Sequence, residues 1–320
     1  MRIVVYLPLL SAVLLAAGAP WLARRLHPAT ATWLLVVAGT VVAASTTLTL
    51  ALLAWTIIVE IPAVAAIGPW SAQAWEIHNP VPDSVAVIAL TALILVLCLL
   101  IETVTTLIRR SLRARRALSN LEAGQGELVI VDDTGLEAFT VPYPRKRGRI
   151  VVSTGMLRAL SAQEQRALIA HEQAHLRHRH HLHRALAAVA CALNPILWPL
   201  GPAVDFATER WADEQAAHAV NDRRLVARAL ARAALARHKA HTPAHPADLH
   251  YDRLDVPERV RRMMESRPRS RPMIIAVMAA LLLLTLTAVN EASEDSDHLL
   301  DRVEMNPHHN AAPDLVRRGG

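Results

Sequence analysis

Across 320 residues the chain is 53% hydrophobic but only 4% aromatic, with mean hydropathy +0.26, a balance that excludes ordinary soluble domains and points to membrane segments rich in Ala, Leu, Val and Ile. Two cysteines exclude a disulfide scaffold. The net charge of +6 comes with no recognisable nucleic-acid module, so attraction to anionic membrane lipid is expected and direct nucleic-acid binding is not.

In chain order, apolar stretches at 3–23, 32–58 and 84–108 are each long enough to cross a bilayer, which takes about 20 residues. The first also looks like a secretory signal, with Arg2 and Ala17-Gly18-Ala19, but its removal would export the basic middle of the chain. It is therefore read as a retained span. Small residues around Gly39, Ala43 and Ala44 suit close helix packing in the second span, and Trp70 and Trp75 in the next loop read as interfacial anchors. Glu102 reads as a snorkelling or paired carboxylate, and Cys98 and Cys191 as small buried apolar residues. A shorter apolar stretch, 273–289, is expected to be a fourth span.

Of the 34 Lys and Arg, 28 lie between positions 109 and 271, while Glu60, Glu76, Asp83, Glu291 and Glu294 mark the opposite side. The positive-inside rule then makes the protein a multi-pass plasma-membrane protein with both termini extracytoplasmic. Residues 1–108 carry three spans, 109–271 form a cytoplasmic domain, 272–290 make the fourth span and 291–320 a short outer tail.

Within the central domain, β-rich runs at 128–131, 139–141 and 150–152 predict a small antiparallel sheet. A helix follows. Ser161 and Glu164 form a capping box, Leu168 and Ile169 continue an apolar stripe, and the helix should run through His171-Glu172-Gln173-Ala174-His175. His171 and His175 fall one turn apart, where two imidazoles can share one Zn²⁺, and Glu172 is placed to act as general base. The third ligand is sought on a second helix: Glu209 is the candidate, with Asp213 four residues on able to accept a hydrogen bond from a ligand imidazole. In such a site an edge strand of the sheet would pair with an extended substrate.

The apolar segment 185–204 looks like a further span, yet a crossing would put His171 and Glu209 on opposite sides of the membrane. With Pro195, Pro199 and Pro202 interrupting it, it is expected to be a buried helical hairpin or a shallow membrane-dipping segment. Residues 221–239 predict an Ala/Arg-rich helix, 241–255 a His/Pro-rich loop, and 256–265 a helix whose Arg259, Arg261 and Arg262 would meet substrate or lipid. His178, His180, His181 and His183 read as a polar helix end.

These motifs together resemble the BlaR/MecR type of membrane metallopeptidase: three spans before and one after the domain, Ile150-Val151-Val152-Ser153-Thr154-Gly155, the HExxH at 171–175, the ExxxD at 209–213 and the RVRRM at 259–263. The resemblance implies a four-span membrane α-helical bundle with a cytoplasmic α+β gluzincin (zincin-like) domain. That domain would hold one Zn²⁺ on His171, His175 and Glu209 and cleave a winged-helix repressor, or its own chain, in signal transduction. Departures are plain: no large outer sensor follows the last span, neither Lys146 nor Lys239 has Ser three places before it, and His180 stands where many relatives have Asp. Three other readings stay open: a quality-control or processing peptidase of the HtpX or CAAX-protease kind, a non-catalytic zinc-containing receptor, and a basic membrane scaffold. The sequence also leaves a homodimer open.

Overall fold

The computed structural model describes residues 7–59, 61–65, 81–119, 126–143, 148–239, 251–265 and 272–304. The first apolar stretches form α1 (Leu7–Arg25), α2 (Pro28–Ile58), a one-turn α3 (Pro62–Ala65) and α4 (Asp83–Ser119). Of these, α1, α2 and α4 are long and apolar enough to cross a bilayer. The expected fourth span opens the last helix, α11 (Pro272–Glu304), and among the described residues its apolar part is Pro272–Thr287, so three helices meet that length among the described residues. Residues of the notional outer loop (Glu60, Trp70, Trp75, Glu76), Arg2, the turn 144–147, most of the His/Pro-rich loop (241–250) and 305–320 lie outside the described residues.

Small side chains bring α1 and α2 together, with Ala12, Ala19, Ala38 and Ala43 fully buried. Hydroxyls in α2 are satisfied within the helix: Thr32 donates to Pro28 O (2.9 Å) and Thr46 to Val42 O (2.8 Å). On α4, Ile88, Leu95 and Ile101 are more than half exposed, an apolar face suited to lipid.

Strands β1 (Leu128–Val131), β2 (Ala138–Val141) and β3 (Arg149–Ser153) form one sheet in the order β1-β3-β2. The sheet is mixed, not antiparallel as expected: β1 runs parallel to β3 with Leu128 opposite Ile150, and only β2 is antiparallel to β3. The cause lies at the end of β3. Ser153 Oγ donates to Gly135 O (2.5 Å) and accepts from Glu137 N (3.1 Å), while Gly155 N donates to Asp133 O (2.8 Å). These bonds carry the β1–β2 connection across the tip of β3, which then takes the place beside β1. A Cβ at Gly155 would lie 2.3 Å from Thr134 O, so the crossing requires glycine there.

Ser153 also caps α5 (Thr154–Ala159), accepting from Met156 N. One face of the sheet buries Ile150 and Val152 against Met156, Leu160 and Ala233; the other packs Val141 and Val151 against Ala114 at the end of α4. The sheet thus hangs from the membrane helix and supports α6 (Ala162–Arg177).

After α6 the chain turns through Arg179, whose φ is 51°, into α7 (His180–Leu193), a 3-10 turn (Pro195–Leu197) and α8 (Leu200–Val220). The segment 185–204 is therefore a helical hairpin. It is not shallow: Asn194 Nδ2 donates to Thr46 Oγ1 (3.1 Å), and Thr46 lies about 27 Å along α2 from its first residue. Leu200 fills the notch at Gly39, where a Cβ would come within 2.3 Å of it. At the other end, the buried Arg210 of α8 donates to Ala23 O (2.5 Å) and Leu26 O (3.3 Å), tying the middle of α8 to the end of α1. Helices α9 (Arg223–Lys239) and α10 (Tyr251–Met264) close the domain, packing Leu225, Val226 and Met263 on Ala167 and Ala216.

Candidate metal centre

The geometry begins with the start of α6. Ser161 Oγ accepts from Glu164 N, and Glu164 Oε2 accepts from Ser161 N (2.9 Å) and pairs with Arg232 (2.8 Å). Two turns on, the same helix presents His171 and His175 with their Nε2 atoms 3.1 Å apart. From α8, Glu209 Oε2 lies 3.4 Å from His171 Nε2, and its Oε1 lies 3.4 Å from His175 Nε2. Donors bound at about 2.1 Å to a tetrahedral ion stand about 3.4 Å from one another. Two imidazoles and a carboxylate at this spacing fit Zn²⁺, and they are the one such group found among the described residues.

Around the donors sits a charged frame. His171 Nδ1 is 3.1 Å from Asp213 Oδ1, and the 2%-exposed Asp213 in turn receives a fork from Arg259, whose Nε and Nη2 donate to its two oxygens at 2.8 Å each. Arg259 Nη1 also reaches Glu209 Oε2 (2.9 Å), and Arg184 Nη2 donates to Glu209 Oε1 (2.5 Å). Burial raises the Glu209 carboxyl, but the guanidinium of Arg259 and the neighbouring imidazoles outweigh it and hold the group well below the usual carboxylate range. Against the same burial, Arg259 holds Asp213 at about 2. His171 is pulled down by burial and pushed up further by Asp213 and Glu209, to about 10; His175, where burial dominates, falls to about 3. Glu172, on the same helix and buried, has its carboxyl raised chiefly by burial.

Arg259 therefore corrects the expectation that the RVRRM arginines meet substrate or lipid. It is buried because its fork neutralises two carboxylates, whereas Arg261 and Arg262 pair with Glu258 and Glu265 at the surface. The expected polar helix end is also different. His180 and His183 are buried, ringed with His178 around Trp211, and Trp33 of α2 meets His183 edge-on at 4.6 Å. His180 Nδ1 lies 2.9 Å from His175 Nδ1. Sequence reasoning missed Arg184, and missed Arg259 and His180 as parts of the site; for His180 the turn at Arg179, not helical periodicity, brings the ring to His175.

Comparison with known proteins falls on this region. Residues 103–197 match peptidase family M48. The matched stretch runs from the C-terminal part of α4 through the sheet and the HExxH helix to the hairpin turn and stops before Glu209. A protease HtpX homologue from Thermodesulfovibrio yellowstonii is 35% identical over 74 residues, covering 23% of this chain and 26% of that protein. The chain thus spans about a quarter of that curated relative. No solved structure matches. The similarity supports an M48-type metallopeptidase and does not extend to the BlaR/MecR type in particular.

Proposed function

We propose that this chain is an integral-membrane zinc metalloendopeptidase acting on polypeptides presented at the membrane surface. The observation that carries the reading is the convergence of His171, His175 and Glu209, with donor atoms within 4.8 Å of one another, beside the buried Glu172. Zinc, when bound there, would supply Lewis acidity and acidify a water molecule. Glu172 takes a proton from the attacking water, whose oxygen bonds to the scissile carbonyl carbon, and returns it to the amine that leaves as the C–N bond breaks; burial, which raises its carboxyl, favours its holding the proton between the two transfers. Asp213 fixes the His171 ring, and Arg259 fixes Asp213 and Glu209 together. The edge of β2 away from β3 lies on the side of α6 and is unpaired among the described residues, so an extended substrate segment pairs there, with the half-exposed Phe139 beside it.

The HtpX similarity favours quality-control or processing cleavage of membrane-associated protein, and the concentration of Lys and Arg between the third and last apolar stretches supports a cytoplasmic domain by the positive-inside rule. Cleavage of a cytoplasmic repressor in signalling is the second reading, supported by the span order and RVRRM segment. The test uses the full-length chain in native membranes: Glu172→Ala should keep one zinc per chain and abolish cleavage, and its membranes should accumulate uncut substrate by comparative proteomics. Undiminished cleavage by that variant rules the mechanism out. A repressor among the uncut proteins selects the second reading, and misassembled membrane proteins the first.

A further inference from the structure

We infer that His180 is a positioning residue for His175, accepting its Nδ1 proton as a neutral imidazole, so that the two imidazoles of the site are backed by unlike partners and are unequal ligands. The inference rests on the metal-centre reading. For His175 to offer its Nε2 lone pair towards His171 Nε2 and Glu209, its own proton must sit on Nδ1. That atom faces His180 Nδ1 at 2.9 Å, and only one proton fits between them. His180 Nδ1 is then the acceptor, and the His180 proton lies on Nε2.

Burial supports this assignment. His180 is 1% exposed, and its Nε2 has no hydrogen-bond partner among the described residues. An orphaned buried N–H is unfavourable, and an apolar side chain packed on Trp211, whose ring lies 4.9 Å from His180, would avoid it. What the imidazole adds, and an apolar group would not, is the contact with His175. The rings of His175 and His180 stand at 88° to each other, which lets the two Nδ1 atoms meet edge to edge.

The asymmetry follows from the partners. His171 faces Asp213, a full negative charge, at 3.1 Å. His175 faces a neutral ring. A carboxylate behind an imidazole raises its basicity as a ligand, and a neutral acceptor does so less. A carboxylate at 180 would also lie one helical turn from the cation of Arg184.

The experiment measures zinc affinity of the full-length protein in detergent by competition with a chromophoric chelator, together with melting of the metal-free form. His180→Phe and His180→Ala should weaken zinc binding about 10–100-fold, while His180→Asp should bind more tightly than wild type. A metal-free melting temperature near that of wild type shows that the fold is kept. Phe and Ala variants that bind zinc as wild type does overturn the inference, as does a folded Asp variant that binds more weakly. If neither apolar variant folds, His180→Asp is set against His180→Asn: tighter binding by Asp supports the inference, and equal affinities overturn it. Failure of the underlying reading looks different, because wild type itself then takes up no zinc, or His171→Ala takes up as much as wild type.

Discussion

Replacing Arg259 by Ala removes the guanidinium that bridges Asp213 and Glu209, through contacts of 2.8, 2.8 and 2.9 Å. Arg259 and Asp213 are 7% and 2% exposed as side chains, so water cannot take over the lost contacts. Breaking a buried pair of this kind costs about 3–5 kcal/mol, since the partner charge stays behind uncompensated. At about 2 °C per kcal/mol for a chain of this size, the metal-free protein should melt about 6–10 °C lower. Zinc restores positive charge next to the same carboxylates, so the deficit should shrink when zinc is present. Melting of full-length wild type and Arg259→Ala in detergent, each with chelator and with zinc, measures both effects. Adding Asp213→Asn to Arg259→Ala should cost less than the sum of the two single changes. A metal-free variant within about 1 °C of wild type, or a strictly additive double variant, refutes the claim that the fork holds α10 on the site.

The depressed Asp213 carboxyl sets a pH dependence of stability. Its folded value, about 2, lies below the ordinary 3.8, so its stabilising contribution is complete above pH 4 and is lost as pH falls towards 2; acid melts of the Asp213→Asn variant should lack this component. At Gly155 a Cβ would come within 2.3 Å of Thr134 O and 2.4 Å of Gly135 O, both backbone atoms, so Gly155→Ala should destabilise by about 1–3 kcal/mol, read as a lower melting temperature with the zinc-site residues untouched.

Local chemistry was legible along the chain. The Ser161–Glu164 capping box fixes where α6 begins, and spacing of four puts His171 over His175 and Glu209 over Asp213. The three longer apolar stretches announce helices for the same reason, since length and hydropathy are properties of contiguous residues. The mixed sheet was not legible, because its register depends on bonds from Ser153 and Gly155 back to the connection after β1. His180 and His183 read as solvated from their polarity, and only the packing of Trp211 and Trp33 on them shows that they are inside.

The sequence by itself thus determined the helical segments and which side chains share a face within each helix, both consequences of periodicity over one or two turns. Tertiary structure alone decided that the hairpin returns Glu209 to His171 alongside α2, and that Arg259, forty-six residues beyond Asp213, closes the charge frame. The physical reason is that buried ion pairs and helix notches such as Gly39 against Leu200 join residues far apart in the chain, where no periodicity links them.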